Sequence, residues 1–189
     1  SARRNKKTLL LCGNVNKIAN MPCNPSVGGP AKGILVREID ALGGEMGKAA
    51  DLTALQFKML NLSKGPAVRA LRVQSDKPAY SAYMQRTLEN TPNLTLKEGI
   101  VQDLLIEDGE VKGVVLENGE NISAQKVIIA TGTFLSSRIL RGKTVENSGP
   151  DGEKTNYGLS EALKSLGFHV LRLKTGTPAR VKTGSVDLS

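Results

Sequence analysis

Apolar positions along this chain alternate between unbroken runs and helical spacing. Thr8-Leu9-Leu10-Leu11-Cys12 is an unbroken run. That is the pattern of a strand covered on both faces of a parallel sheet. Residues 1–7, ahead of it, read as the basic tail of a helix. From residue 33 to about 49, Ile34, Leu35, Ile39, Leu42 and Met46 recur near helical spacing, with a break at Gly43-Gly44. Residues 52–62 read as a further short helix. Residues 78 to about 88 read as another, with Tyr80, Tyr83, Met84 and Leu88 on one side.

Leu94-Thr95-Leu96 opens a strand, and a β-meander follows it. Its strands are expected at 101–107, 111–117 and 121–123, joined by Asp108-Gly109 and Asn118-Gly119. Asp-Gly and Asn-Gly between apolar runs are strong hairpin signals. Val127-Ile128-Ile129-Ala130 returns to a wholly apolar strand pattern and stops at Thr131-Gly132-Thr133. Residues 157–166 read as a helix and 168–173 as a strand, with the loosest stretch at 142–155. This order predicts a doubly wound α/β domain carrying an inserted antiparallel meander at about 100–125, with a further segment after about 142. Small residues at the carboxyl end of a parallel strand leave a crevice for a cofactor, so Thr131-Gly132-Thr133 is a candidate ligand edge.

Composition narrows the picture. Aromatic residues make up 3% of the chain and Trp is absent, so the core must be aliphatic. With 26 basic and 18 acidic residues the net charge is +8, which favours an acidic partner such as RNA or a phosphorylated cofactor. The charge is dispersed, and most of it also fits an ordinary solvated surface. Cys12 and Cys23 have no Cys-x-x-Cys spacing, and His169 is the only histidine. Zinc-finger and disulfide-scaffold classes are therefore excluded, no metal site is expected, and a reducing compartment fits. No stretch has the pattern of a membrane span.

Chemistry concentrates in Met21-Pro22-Cys23-Asn24-Pro25-Ser26-Val27-Gly28-Gly29-Pro30-Ala31-Lys32-Gly33. These thirteen residues hold a cysteine, three prolines, three glycines and a lysine. A loop of this kind ahead of a helix can turn free N–H groups toward an anion, and it also fits a structural turn. Cys23, close to the expected helix start, reads either as a reactive thiol or as a small buried hydrophobe. Cys12, at a strand end, reads as buried and inert, and His169 as structural within its strand. In Ser63-Lys64-Gly65-Pro66-Ala67-Val68-Arg69-Ala70-Leu71-Arg72, Arg69 and Arg72 would share a face if the segment were helical. Phosphate contact and plain exposure both fit that segment. A third candidate, Leu173-Lys174-Thr175-Gly176-Thr177-Pro178-Ala179-Arg180, offers hydroxyls and a cation to an anion. No Walker loop and no G-x-G occurs anywhere.

Together the Cys-Asn-Pro-Ser-Val-Gly-Gly loop with its Lys-Gly, Asp40-Ala41-Leu42-Gly43-Gly44, the Ser-Lys-Gly-Pro-Ala-Val-Arg-Ala segment, Gly132-Thr133-Phe134-Leu135 and Leu-Lys-Thr-Gly-Thr-Pro resemble the MnmG/GidA family. The similarity runs in order through essentially all 189 residues. It implies an FAD-binding, Rossmann-like α/β domain of the glutathione-reductase type. It also implies an enzyme that modifies the wobble uridine of tRNA at C5, working with the GTPase MnmE. NADH and methylenetetrahydrofolate are implied as further cofactors. A cytoplasmic setting, a homodimer and a heterotetramer with MnmE are implied for the assembly.

Carried over by motif, Cys23 is the candidate catalytic residue. Val101, Thr131, Gly132, Thr133 and Asn156 fall at FAD-contacting positions, and Gly28, Gly29 and Lys32 line the flavin side. Lys64, Arg69 and Arg72 are implied tRNA contacts. The family's first strand and G-x-G-x-x-G loop have no counterpart here. The expectation is a partial FAD-binding domain over 1–189, inactive by itself. A related FAD-dependent oxidoreductase and a non-catalytic RNA-binding fragment are the alternatives.

Overall fold

The computed structural model describes residues 1–177 and 181–187. Strand β1 (Thr8–Cys12) is followed by β2 (Ser26–Gly28), α1 (Lys32–Ala41), α2 (Met46–Leu52), β3 (Ala54–Leu60), β4 (Ala70–Ser75) and α3 (Lys77–Glu89). Next come β5 (Leu94–Glu98), β6 (Val101–Glu107), β7 (Glu110–Leu116) and β8 (Asn121–Ser123). A hairpin of β9 (Ile139–Arg141) and β10 (Thr144–Glu146) precedes α4 (Gly158–Ser165). The fold is α/β with both parallel and antiparallel pairing. Strand β1 runs parallel to β5, while β2-β4-β3 and β6-β7-β8 are antiparallel three-stranded sheets.

Local chemistry sets the helix limits. The Asp76 side chain accepts from the Ala79 N–H at 2.9 Å and caps α3, whose first turn holds Pro78. Helix α1 ends where Gly43 adopts φ +82° and the Gly44 N–H returns to the Ile39 carbonyl at 2.8 Å. That break swings α2 back over the β2-β4-β3 sheet. Ala49 and Ala50 of α2 are small enough to seat it closely, and they join Val27, Val73 and Tyr80 in the main core. Helix α4 packs against β6, and its Leu159 is buried.

Helix α3, β5, the meander and α4 lie where the pattern predicts them. Other expectations are corrected. Residues 54–60, within the expected helix at 52–62, form strand β3, because each residue from Gln56 to Leu60 pairs with β4. Tertiary pairing overrides the helix propensity of Leu, Gln, Lys and Met there. Strand β4 itself, and β2, were not expected as strands. Arg72 therefore lies on a strand, and Arg69 and Arg72 share no helix face. The opening residues form only a single turn, Ala2–Arg4, rather than a helix tail.

Val127-Ile128-Ile129-Ala130 forms no ladder, and Ile128 is 80% exposed. A strand exists only by pairing, and no described strand lies beside this one. The same holds for 168–173, so His169 is exposed and lies outside any strand. The supposedly loose stretch 142–155 contains half of the β9–β10 hairpin. Among the described residues strand β1 has a single neighbour, β5, and its Leu9 is partly exposed, so the run is not covered on both faces.

Candidate functional site

The Thr131-Gly132-Thr133 edge is a tight turn, with the Phe134 N–H donating to the Thr131 carbonyl at 3.2 Å. Just beyond it the chain is clasped to residues 155 and 156. Asn156 N–H donates to the Phe134 carbonyl at 2.8 Å, and Ser136 N–H donates to the Asn156 carbonyl at 2.9 Å. The buried Thr155 hydroxyl donates to the Phe134 carbonyl at 2.9 Å and accepts from the Ser137 N–H at 2.6 Å. The Asn156 amide then donates to the Val101 carbonyl at 2.8 Å and accepts from the Leu159 N–H at 3.1 Å. Val101, Asn156 and the Thr131–Thr133 turn, far apart in sequence, thus form one hydrogen-bonded cluster. The hydroxyls of Thr131 and Thr133 make no hydrogen bond among the described residues.

The cysteine loop forms a second cluster. Pro25 offers its carbonyl to the Ser75 N–H at 2.7 Å, and β2 then pairs with β4. Gly28 has φ +113°, and a Cβ there would lie 2.1 Å from the Leu71 carbonyl oxygen. Its glycine is required by this close approach of two backbones. The Gly29 N–H donates to the Leu71 carbonyl at 2.9 Å, and the Gly33 N–H to the Gly29 carbonyl at 2.8 Å. These donors face inward rather than toward a ligand. The Lys32 ammonium folds back to the Ser26 carbonyl at 3.2 Å. Cys23 is half-buried and accepts a hydrogen bond at Sγ from the Thr177 hydroxyl at 3.1 Å. Strand β2 separates Cys23 from the α1 start in the chain.

Nothing in the spacing of the motif that holds Thr177 signals its contact with Cys23, 154 residues away. The segment leading to it connects the two clusters. Arg172 donates to the Ser136 carbonyl at 3.1 Å, five residues before Thr177 reaches Cys23. Pro178, Ala179 and Arg180 of the same motif lie outside the described residues. Asp151 adds a second tie, accepting from the Asn20 amide at 3.0 Å and the Lys77 ammonium at 3.5 Å.

The basic candidates surround one loop. Lys64 is exposed in the turn Leu62–Lys64. Arg69 is exposed too, its guanidinium 3.4 Å from the Leu62 carbonyl. Arg72 follows within β4, so the three are not on a common helix. Lys58, across the sheet from Arg72, belongs with them, and the period-two alternation of Gln56, Phe57, Lys58 and Met59 was its signal.

Cys12 is half-buried, and burial, reinforced by the Glu98 carboxylate, pushes its thiol pKa up. It stays protonated and unreactive near neutral pH. Among the described residues no cluster of His, Cys, Asp and Glu is placed to hold a metal ion. No described helix is long and apolar enough to cross a membrane.

Known proteins match this arrangement along its whole length. The family model described as "Glucose inhibited division protein A" (GIDA) matches residues 1–189. The chain is 59% identical over 188 residues to the tRNA uridine 5-carboxymethylaminomethyl modification enzyme MnmG of Acholeplasma laidlawii, and 55% identical over 189 residues to that of Bacillus subtilis. Each match covers 100% of this chain and 30% of the relative, so the chain spans about a third of their length. Among solved structures, Aquifex aeolicus GidA in its form I crystal superposes with a TM-score of 0.89 at 45% identity, covering 97% of this chain and 30% of that one. Its form II crystal gives 0.87 at 46% identity, covering 94% and 30%. With the family model matching residues 1–189 of it, this chain belongs to the GidA family.

Proposed function

We propose that this chain is the part of an FAD-dependent tRNA-modifying enzyme that holds the cofactor edge and the reactive cysteine. The reaction is installation of a carboxymethylaminomethyl or aminomethyl group at C5 of the wobble uridine. One observation carries the reading: Val101, Asn156 and the Thr131-Gly132-Thr133 turn, each assigned to a flavin site by motif alone, form a single hydrogen-bonded cluster. Their chemistry fits FAD. Two hydroxyls without a hydrogen bond among the described residues and a glycine turn suit the polar parts of a dinucleotide, and the buried Thr155 holds that turn in place.

Each residue then has a distinct part. Thr131, Gly132 and Thr133 would line the cofactor, with Val101 beside them. Asn156 keeps this edge in place, since its amide is already engaged on both sides. Gly28, Gly29 and Lys32 would form the flavin-side wall, with Lys32 releasing Ser26 to meet an anion. Bound FAD would supply the redox chemistry. Cys23 is the candidate nucleophile, held by Thr177, and Lys64, Arg69 and Arg72 are candidate tRNA contacts.

NADH as reductant, methylenetetrahydrofolate as one-carbon donor, MnmE as partner, a homodimer and a cytoplasmic setting all belong to this reading. The glutathione-reductase type of fold belongs to it as well. Without a G-x-G-x-x-G cradle for the pyrophosphate, the 189-residue chain by itself should not turn over.

The test is nucleoside analysis of tRNA from cells in which the native protein carries Cys23→Ala. Loss of the C5 group from the wobble uridine, with protein level and flavin content unchanged, is expected. Full modification in that variant would remove Cys23 from the chemistry. Full modification in a strain lacking the gene would remove the reading altogether.

A further inference from the structure

The β2-β4-β3 sheet has one apolar face, and its other face is polar except for the Leu60–Ala70 pair beside the loop. Val27, Val73 and Phe57 pair across it in one row; Val27 and Val73 lie in the core that α2 joins, while Phe57, on the edge strand, is 58% exposed. The neighbouring rows point the other way. In one of them Lys58 lies directly opposite Arg72, with Gly28 as the third member, which has no side chain. In the next, Gln56 lies opposite Gln74, with Ser26 beyond.

Directly opposed cross-strand residues share a face, and like charges in such a pair are destabilising. An acidic neighbour normally offsets that repulsion. Neither the Lys58 nor the Arg72 side chain has an ion pair or hydrogen bond among the described residues, and neither row holds an acid. Arg69 and Lys64 extend the exposed positive charge past the end of β4.

We infer that this polar sheet face is a docking surface for the ribose-phosphate backbone of RNA. Lys58 and Arg72 take phosphates, and Gln56 and Gln74 take phosphate or sugar oxygens. An anion between the two cations removes the repulsion that the protein alone leaves standing. These rows carry no aromatic residue on which a base could stack, so the surface supplies affinity and orientation without reading sequence. The inference rests on the tRNA-directed reading above and adds to it Lys58, Gln56 and Gln74.

Fluorescence anisotropy of a labelled tRNA transcript, titrated with the protein at several salt concentrations, tests it. Parent, Lys58→Gln, Arg72→Gln, the double variant and Lys126→Gln are compared. Because each lost phosphate contact lowers the log–log salt slope by about 0.7 to 0.9, the double variant should lose about 1.5 in slope and bind about tenfold more weakly at physiological salt. Lys126→Gln, on an exposed residue after β8, should match the parent.

A double variant with parental affinity and slope overturns the inference and leaves the tRNA reading standing. A parent that binds no tRNA overturns both. Displacement of tRNA from the parent by FAD assigns the row to a dinucleotide pyrophosphate and also overturns it. Lys58→Gln, on an exposed edge strand, keeps the test valid if the Arg72 change disturbs folding.

Discussion

The Asn156 side chain donates to the main-chain carbonyl of Val101 at 2.8 Å, joining the start of α4 to the first strand of the meander. The same amide accepts from the Leu159 N–H, so one side chain holds the meander and caps the helix. Removing it should affect both. Asn156→Ala is expected to lower stability by about 2 kcal/mol, combining a lost cap with an unsatisfied carbonyl. Asn156→Asp should recover only the cap, because a carboxylate cannot donate to the Val101 carbonyl. Urea denaturation of the three proteins measures the difference. Equal midpoints for parent and Asn156→Ala would show that the clasp contributes nothing.

Gly28 and Gly29 are adjacent, both have positive φ, and they should respond differently to alanine. At Gly28 a Cβ would strike the Leu71 carbonyl oxygen, so β2 must leave β4 or the chain must not fold. A loss of about 4 kcal/mol or more is expected for Gly28→Ala, in the range reserved for breaking a specific packing feature. At Gly29 a Cβ meets nothing within 4 Å, and only the backbone conformation resists it, at about 1–2 kcal/mol. Thermal melts of the two variants should keep that order. A Gly29→Ala protein that folds yet loses flavin would assign the space above Gly29 to the cofactor.

The Arg3, Glu45 and Tyr83 side chains link the first turn to α2 and α3, and the link is bounded by pH on both sides. Glu45 accepts from the Tyr83 hydroxyl at 2.6 Å and pairs with Arg3 at 2.5 Å. The Tyr83 hydrogen bond, then the Arg3 one, holds the Glu45 carboxyl below its ordinary value of 4.5. Its contribution is complete above that value and is lost as pH falls through the lower folded value. Tyr83 is raised above 10.0, chiefly by the same hydrogen bond, so its contribution is complete below pH 10.0 and is lost as pH rises further. Glu45→Gln should flatten the acid limb of the stability curve. Chemical denaturation of parent and variant from acid to alkaline pH checks this, and parallel acid limbs would refute it.

Legibility in the sequence followed the range of the interactions. Helix α3 was readable because its cap, Asp76, and its first-turn proline lie within the segment they delimit. The meander was readable because Asp108-Gly109 and Asn118-Gly119 sit between the strands they join. Strand β3 is not legible as a strand because its partner, β4, reaches it only across an irregular loop. Val127-Ile128-Ile129-Ala130 shows the opposite failure: a run fit for a buried strand has no described neighbour to pair with.

The site divides along the same line. Motif spacing by itself named the candidate residues, because a Cys-Asn-Pro-Ser loop or a Thr-Gly-Thr turn has its chemistry in consecutive residues. Net charge and the α/β class were also set by the sequence. Only the tertiary structure decided that Asn156 holds Val101, that Thr177 reaches Cys23, and that Lys58 faces Arg72. Each of these joins residues between 14 and 154 positions apart, and no local preference encodes a partner at that distance. The Asn156–Val101 bond is chosen when the core closes and each polar group withdrawn from water must find the partner left within its reach. Lys58 and Arg72, by contrast, meet because the β3–β4 register sets them opposite one another.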